Sequence, residues 1–230
     1  MISTKDLAKD SGSGKSTPKT INPGQNTVKI NSVELSAPPY DMNSYHMIFN
    51  VEGPDMGPEF EGFLVDAEKP TGPRYKGQIG RVKSNYYAYK DTTLPNGTQL
   101  QRDNQILKAV YYACVSIGKG SWIEEVDGKY ATIEQFVKGF SAMISGTWVK
   151  MTVGAKEYQN KQGYTAYDLF LVKNEKNSYN MEAADAQPSK LIPFDAEKHI
   201  KKTKVEKVES FGDSNPFKDD AVNGDFEFQL

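Results

Sequence analysis

Residues 103–146 carry two helical stripes, and on both sides of them the apolar residues recur with the period of a strand. Asp103 to Ile117 places Ile106, Leu107, Val110, Tyr111, Cys114 and Val115 along one helix face, and Gly118 supplies a stop. Thr132 and Gln135 have capping-box spacing, and Ile133, Phe136, Val137, Phe140 and Ile144 form a second buried stripe before Gly146. The change of period predicts a mainly β fold with a helical insert, an α+β arrangement.

Thr27 to Leu35 and Tyr45 to Val51 read as strands, the second with Tyr45, Met47, Phe49 and Val51 sharing a face. Pro38-Pro39-Tyr40-Asp41 turns between them, and Glu59 to Asp66 reads as a short third strand before the loop Lys69-Pro70-Thr71-Gly72-Pro73. Beyond the insert, Thr147 to Tyr158 and Tyr164 to Val172 read as two long strands joined in a hairpin through Gln159 to Gly163.

The ends differ from this body. Met1 to about Gln25 is polar and rich in Ser, Gly, Lys and Thr, so residues 1–26 read as a flexible arm. Gly14-Lys15-Ser16-Thr17 falls inside it, but a phosphate-binding loop needs glycine five places before Gly14, where Lys9 stands, and no apolar strand precedes it. After Lys173 the apolar period fades. Asn174 to Leu230 holds 8 cations against 12 anions, whereas Met1 to Lys173 holds 20 against 18. The reading is therefore a slightly basic domain at 27–173 and a flexible acidic tail at 174–230.

Several function classes are excluded or unsupported. With no run of about 18 apolar residues and no apolar secretory core at the start, a soluble intracellular protein is expected. Cys114 is the only cysteine, so no disulfide forms within the chain and no multi-cysteine zinc site exists; its apolar setting reads as a buried small hydrophobe. His46 and His199 are the only histidines, and neither stands beside a candidate nucleophile. No carboxylate spacing singles out a metal site, so no catalytic residue, metal or cofactor is assigned and the protein reads as a non-enzyme.

Binding chemistry is concentrated instead. Lys69 to Lys90 contains six cations (Lys69, Arg74, Lys76, Arg81, Lys83 and Lys90), four tyrosines (Tyr75, Tyr86, Tyr87 and Tyr89) and no acid. Cations meet phosphates and phenol rings stack on unpaired bases, the composition of a single-strand nucleic-acid groove. Alternation from Ile79 to Tyr89 puts Arg81, Lys83, Asn85, Tyr87 and Tyr89 on one face and Val82, Ser84, Tyr86 and Ala88 on the other. The same pattern also fits a solvated edge strand that uses lysine against aggregation. The hairpin adds Lys150, Lys156, Tyr158, Lys161, Tyr164 and Tyr167, diluted by Glu157 and Asp168.

Three or more strands, a helical insert and a hairpin is the element order of an OB-fold, a five-stranded barrel with helices between its third and fourth strands. Together with the cationic stretch and the acidic end, the chain resembles the single-stranded DNA-binding proteins of bacteriophage replication. The resemblance spans 27–173 as architecture and 213–230 as tail type. It implies a protein that coats single-stranded DNA in the cytoplasm of an infected bacterium during replication or recombination, with a possible homo-oligomer and no membrane. Arg74, Lys76, Arg81, Lys83, Lys150 and Lys156 would meet phosphates, and Tyr75, Tyr87, Tyr89 and Tyr158 would stack. In that family the tail docks a replication partner such as a polymerase or helicase and competes with DNA. Asp213, Asp219, Asp220, Asp225, Phe226, Glu227, Phe228 and Leu230 match its type, while Lys218 and the final Gln229-Leu230 depart from it. An inert solubilising tail, a virion or assembly protein and an oligosaccharide-binding barrel are the rival readings.

Overall fold

The computed structural model describes residues 20–53, 79–160, 163, 165–174 and 178–202. Three strands come first, β1 (Gly24–Ser36), β2 (His46–Glu52) and β3 (Ile79–Lys83). Short strands β4 (Thr92–Thr93) and β5 (Gln99–Leu100) lead into helices α1 (Arg102–Ser116), α2 (Ser121–Glu125) and α3 (Ile133–Ile144). Two long strands follow, β6 (Trp148–Gln159) and β7 (Thr165–Leu171), then β8 (Met181–Ala183), the short helix α4 (Ala196–His199) and β9 (Ile200–Lys201).

Pairing runs β1-β2-β3-β7-β6, and β6 returns to β1, which closes a five-stranded barrel. All contacts around it are antiparallel except β3 with β7, so it is a mixed barrel with the helices between its third and fourth strands, an OB-like fold. Closure depends on the length of β1. Its first half pairs β6, from Gly24 opposite Val153 to Lys29 opposite Trp148, and its second half pairs β2, ending with Ser36 opposite His46. The register shifts between Ile30 and Ser32, and a bulge of this kind bends a strand so that one element can serve two neighbours.

Alternation fills the interior. Val28, Ile30, Val33, Met47, Phe49, Val51, Val82, Val149, Met151, Val153, Leu169 and Leu171 all lie in the core. Helix α3 packs its expected stripe on this core. Ile133, Phe136, Val137, Phe140 and Ile144 are buried, and Phe140 meets Phe49 edge-on at 6.4 Å between centroids. Each such side chain contributes about 1.5–3 kcal/mol on burial. Thr132 caps the helix by accepting from the Gln135 amide, and Ser141 ties it to β1 by accepting from the Val33 amide at 2.7 Å. Cys114 is fully buried, and desolvation pushes its thiol up to about 12, which makes it an inert packing group.

Four features differ from the sequence reading. The third barrel strand is β3, at Ile79–Lys83; Glu59 to Asp66 lies outside the described residues. Ordered structure begins before residue 27, since Ile21 is buried and β1 starts at Gly24; the arm's first 19 residues lie outside the description. On α1 the buried line is Ile106, Val110, Ala113 and Cys114, while Leu107, Tyr111 and Val115 face outward. Both lines have helical spacing, and only the position of the barrel selects between them.

The fourth difference is the largest. Residues 178–202, read as tail, belong to the globular body, where Met181, Glu182 and Ile192 are buried. Strand β6 changes partners at Val153, where β1 stops on one side and β7 on the other. Strand β8 then pairs Val149 to Met151, and β9 pairs Ala155 and Lys156. The two short strands supply partners for backbone groups that would otherwise form open edges. Glu182 accepts from the Ser189 hydroxyl at 2.6 Å and the Lys190 amide at 2.8 Å, which satisfies its buried carboxylate.

Candidate nucleic-acid interface

Strands β3 and β7 touch through only two residue pairs, Val82 with Leu169 and Lys83 with Phe170. Before those pairs the strands part. The opening is a cleft of about 860 Å³ between Ile79 to Arg81 on one side and the β6–β7 hairpin on the other. Arg81, Lys83 and Lys156 bring three cations to its lining, and Tyr158 and Tyr167 bring two rings. Tyr158 and Tyr167 are 44% and 38% exposed, so both offer ring surface to a ligand.

Charge in the cleft is partly compensated. Arg81 donates to Glu34 at 2.7 Å and Lys83 to Asp168 at 2.6 Å. Exposed pairs of this kind contribute about 0–1 kcal/mol, so a phosphate can replace the carboxylate at Arg81 at small cost. Lys156 has no ion pair among the described residues. The alternation of β6 explains the placement, because Val153 and Ala155 enter the core while Lys156 and Tyr158 face out.

Several expected site residues stand elsewhere. Tyr89 is only 7% exposed and belongs to the core, where its hydroxyl meets Ser84 Oγ at 2.9 Å and burial raises its pKa. The strand ends at Lys83 and the chain bends through Ser84 to Tyr87, so the extrapolated alternation fails there. Tyr89 is therefore corrected from a stacking ring to a core residue. Tyr87 is 68% exposed but lines a different cleft. Lys150 stands between Thr27 of β1 and Glu182 of β8 and does not line the cleft. Arg74, Tyr75 and Lys76, together with the tail residues Asp213, Asp219, Asp220, Asp225, Phe226, Glu227, Phe228 and Leu230, lie outside the described residues.

Comparison with family models, curated proteins and solved structures finds no match. The case for a function rests on the site itself. Among the described residues no group of three or more His, Cys, Asp or Glu could hold a metal, and no helix is long and apolar enough to cross a membrane.

His46 borders this face. Burial, and then the Lys83 ammonium, lower its pKa below the usual 6.5, with Asp168 acting in the opposite sense, and its buried Nδ1 has no hydrogen-bond partner. The unfolded chain therefore takes up this proton more readily than the folded one. Stability is complete above the unfolded pKa of about 6.5 and falls as pH drops below it toward the folded value. Thermal midpoints between about pH 8 and about pH 5 should fall on the acid side in the wild type and stay flatter in His46→Gln. Parallel curves would clear His46 of this role.

Proposed function

We propose that the protein binds single-stranded nucleic acid without catalysis, and coats single-stranded DNA during phage replication or recombination in the cytoplasm of the bacterial host. The observation that carries the reading is the parting of β3 from β7 in an OB-like barrel, where Arg81, Lys83, Lys156, Tyr158 and Tyr167 converge. Phosphates meet the cations and unstacked bases lie on the two rings, a combination that tolerates any sequence. Neutral sugars would also stack on the rings but would leave Lys156, the cleft cation without an ion pair among the described residues, with no counter-charge, which favours a polyanion.

The acidic end at 213–230 is proposed to recruit a replication protein, such as a polymerase or helicase, and to compete for the same cations as a tethered polyanion. An assembly protein is the second reading, favoured by the outward Leu107, Tyr111 and Val115 stripe of α1, which is partly exposed apolar surface.

Titration of equal lengths of single strand and duplex across a range of salt separates the two. A steep loss of affinity with salt and a strong preference for single strands are expected. Equal, salt-insensitive binding by a protein that forms large regular oligomers would replace this reading with assembly.

A further inference from the structure

The outer face of the barrel does not end at the cleft between β3 and β7. Along β7, Asp168 lies opposite Lys156; two residues on, Phe170 lies between Gly154 and Lys83 and points away from the core cluster. A second cleft of about 780 Å³ opens around Phe170, walled by α1, by the bend after β3 and by the strap formed from α4 and β9. The two clefts adjoin, since Lys83 lines the first and Ser84 the second, and Lys156 of the first is the register partner of Lys201 in the second.

The strap rests on a glycine. A Cβ at Gly154 would stand 2.8 Å from the His199 carbonyl oxygen and 2.9 Å from the Phe170 ring, so a larger residue would displace it. Docked there, the strap holds the Lys201 ammonium 3.7 Å from the Tyr86 ring centroid, 5.5 Å from Tyr87 and 6.0 Å from Phe170. Rings attract a cation through their quadrupole but do not neutralise it. Lys108 is placed in the same way, 5.9 Å from the Tyr112 centroid, and Lys173 has no ion pair among the described residues. Lys198 is already paired with Asp195 at 3.2 Å. No Asp or Glu among the described residues lines this cleft.

We propose that the second cleft is a nucleotide subsite, in which a base lies on the exposed Tyr87 ring and a phosphate is held by Lys108, Lys173 and Lys201. This inference rests on the single-strand reading for its polymeric ligand, and on the cleft alone for its chemistry. Uncompensated ammonium groups beside open phenol rings select an anion joined to a planar ring. A neutral ligand would cover the charges without pairing them. A strand leaving the first cleft along β7 meets these groups next, and a free nucleotide meets the same groups directly.

The test titrates the full chain with thymidine 5′-monophosphate and with oligothymidylates of about 4 and about 12 residues at several salt concentrations. The wild type is compared with Lys108→Ala/Lys173→Ala and with Tyr87→Ala, all of them changes at exposed side chains. For the longer oligomer, the lysine variant should lower the slope of log affinity against log salt by about 1.4, and Tyr87→Ala should weaken binding by about 5- to 150-fold. Losses confined to the longer oligomer identify the subsite as a continuation of the strand path. Equal losses for the monophosphate identify it as a pocket for a free nucleotide. If the wild type binds strands and neither variant differs from it with any probe, the subsite is overturned and the single-strand reading stands. If it binds the monophosphate through these lysines but no strand, the subsite stands and the single-strand reading falls. If the wild type binds none of the probes, both are overturned.

Discussion

Replacing Tyr158 and Tyr167 together by alanine should weaken binding to single strands by about 30-fold or more, because each stacked ring contributes about 1–3 kcal/mol. Both rings line the cleft between β3 and β7 and both are partly exposed, so their removal leaves the core packing in place. The salt slope should stay as it is, since no cation has been removed. Lys156→Ala should do the converse and lower the slope by about 0.7 with a smaller change in affinity. Tyr111→Ala is the control, an exposed ring on α1 that lines neither cleft of the outer face. A folded double tyrosine variant with wild-type affinity and wild-type salt slope would remove this cleft as the binding surface.

The choice of rings marks how far the sequence could be read. Apolar patterns with local consequences were legible: the α3 stripe with its Thr132 cap, the β6–β7 hairpin and the buried Cys114 follow from spacing within one element. Tyr89 was misplaced because alternation holds only while a strand continues, and nothing in Ser84-Asn85-Tyr86-Tyr87 announces the bend. The parallel contact of β3 with β7 joins residues more than 80 positions apart, so no local pattern reports it, and the cleft it leaves open was equally hidden. Compensation of Arg81 by Glu34 and of Lys83 by Asp168 depends on register across separate strands. The charge-rich stretch could therefore be located, but its free charge could not be counted. Tyr167 was visible as one of the hairpin's rings, and only the folded hairpin sets it beside Tyr158 in the cleft. The second cleft draws on α1, the bend, the end of β7 and the strap, and Lys108, Lys173 and Lys201 come to it from separate segments in which each is unremarkable.

Ending the chain at Asn174 should cost about 3–6 kcal/mol of folding stability, since Met181 and Ile192 are both buried and each contributes about 1.5–3 kcal/mol. That is a large share of the roughly 5–15 kcal/mol typical of a whole domain. The backbone adds to the loss. Without β8 and β9, strand β6 exposes Val149 to Met151 on one edge and Ala155 to Lys156 on the other, and Thr152 loses the Ile192 carbonyl to which its hydroxyl donates at 2.7 Å. These contacts were invisible in the sequence because Met181 and the cluster Leu191-Ile192-Pro193-Phe194 are too far apart and too short to show a strand or helix period. Ending the chain at Lys202 instead retains every described element and should keep the wild-type midpoint in denaturant. The pair of truncations separates structure from binding: the Lys202 chain keeps Lys201 against its rings, while the Asn174 chain loses both the barrel's edge cover and the wall of the second cleft. Equal midpoints for the Asn174 chain and the full protein would show that residues 178–202 add nothing to the fold.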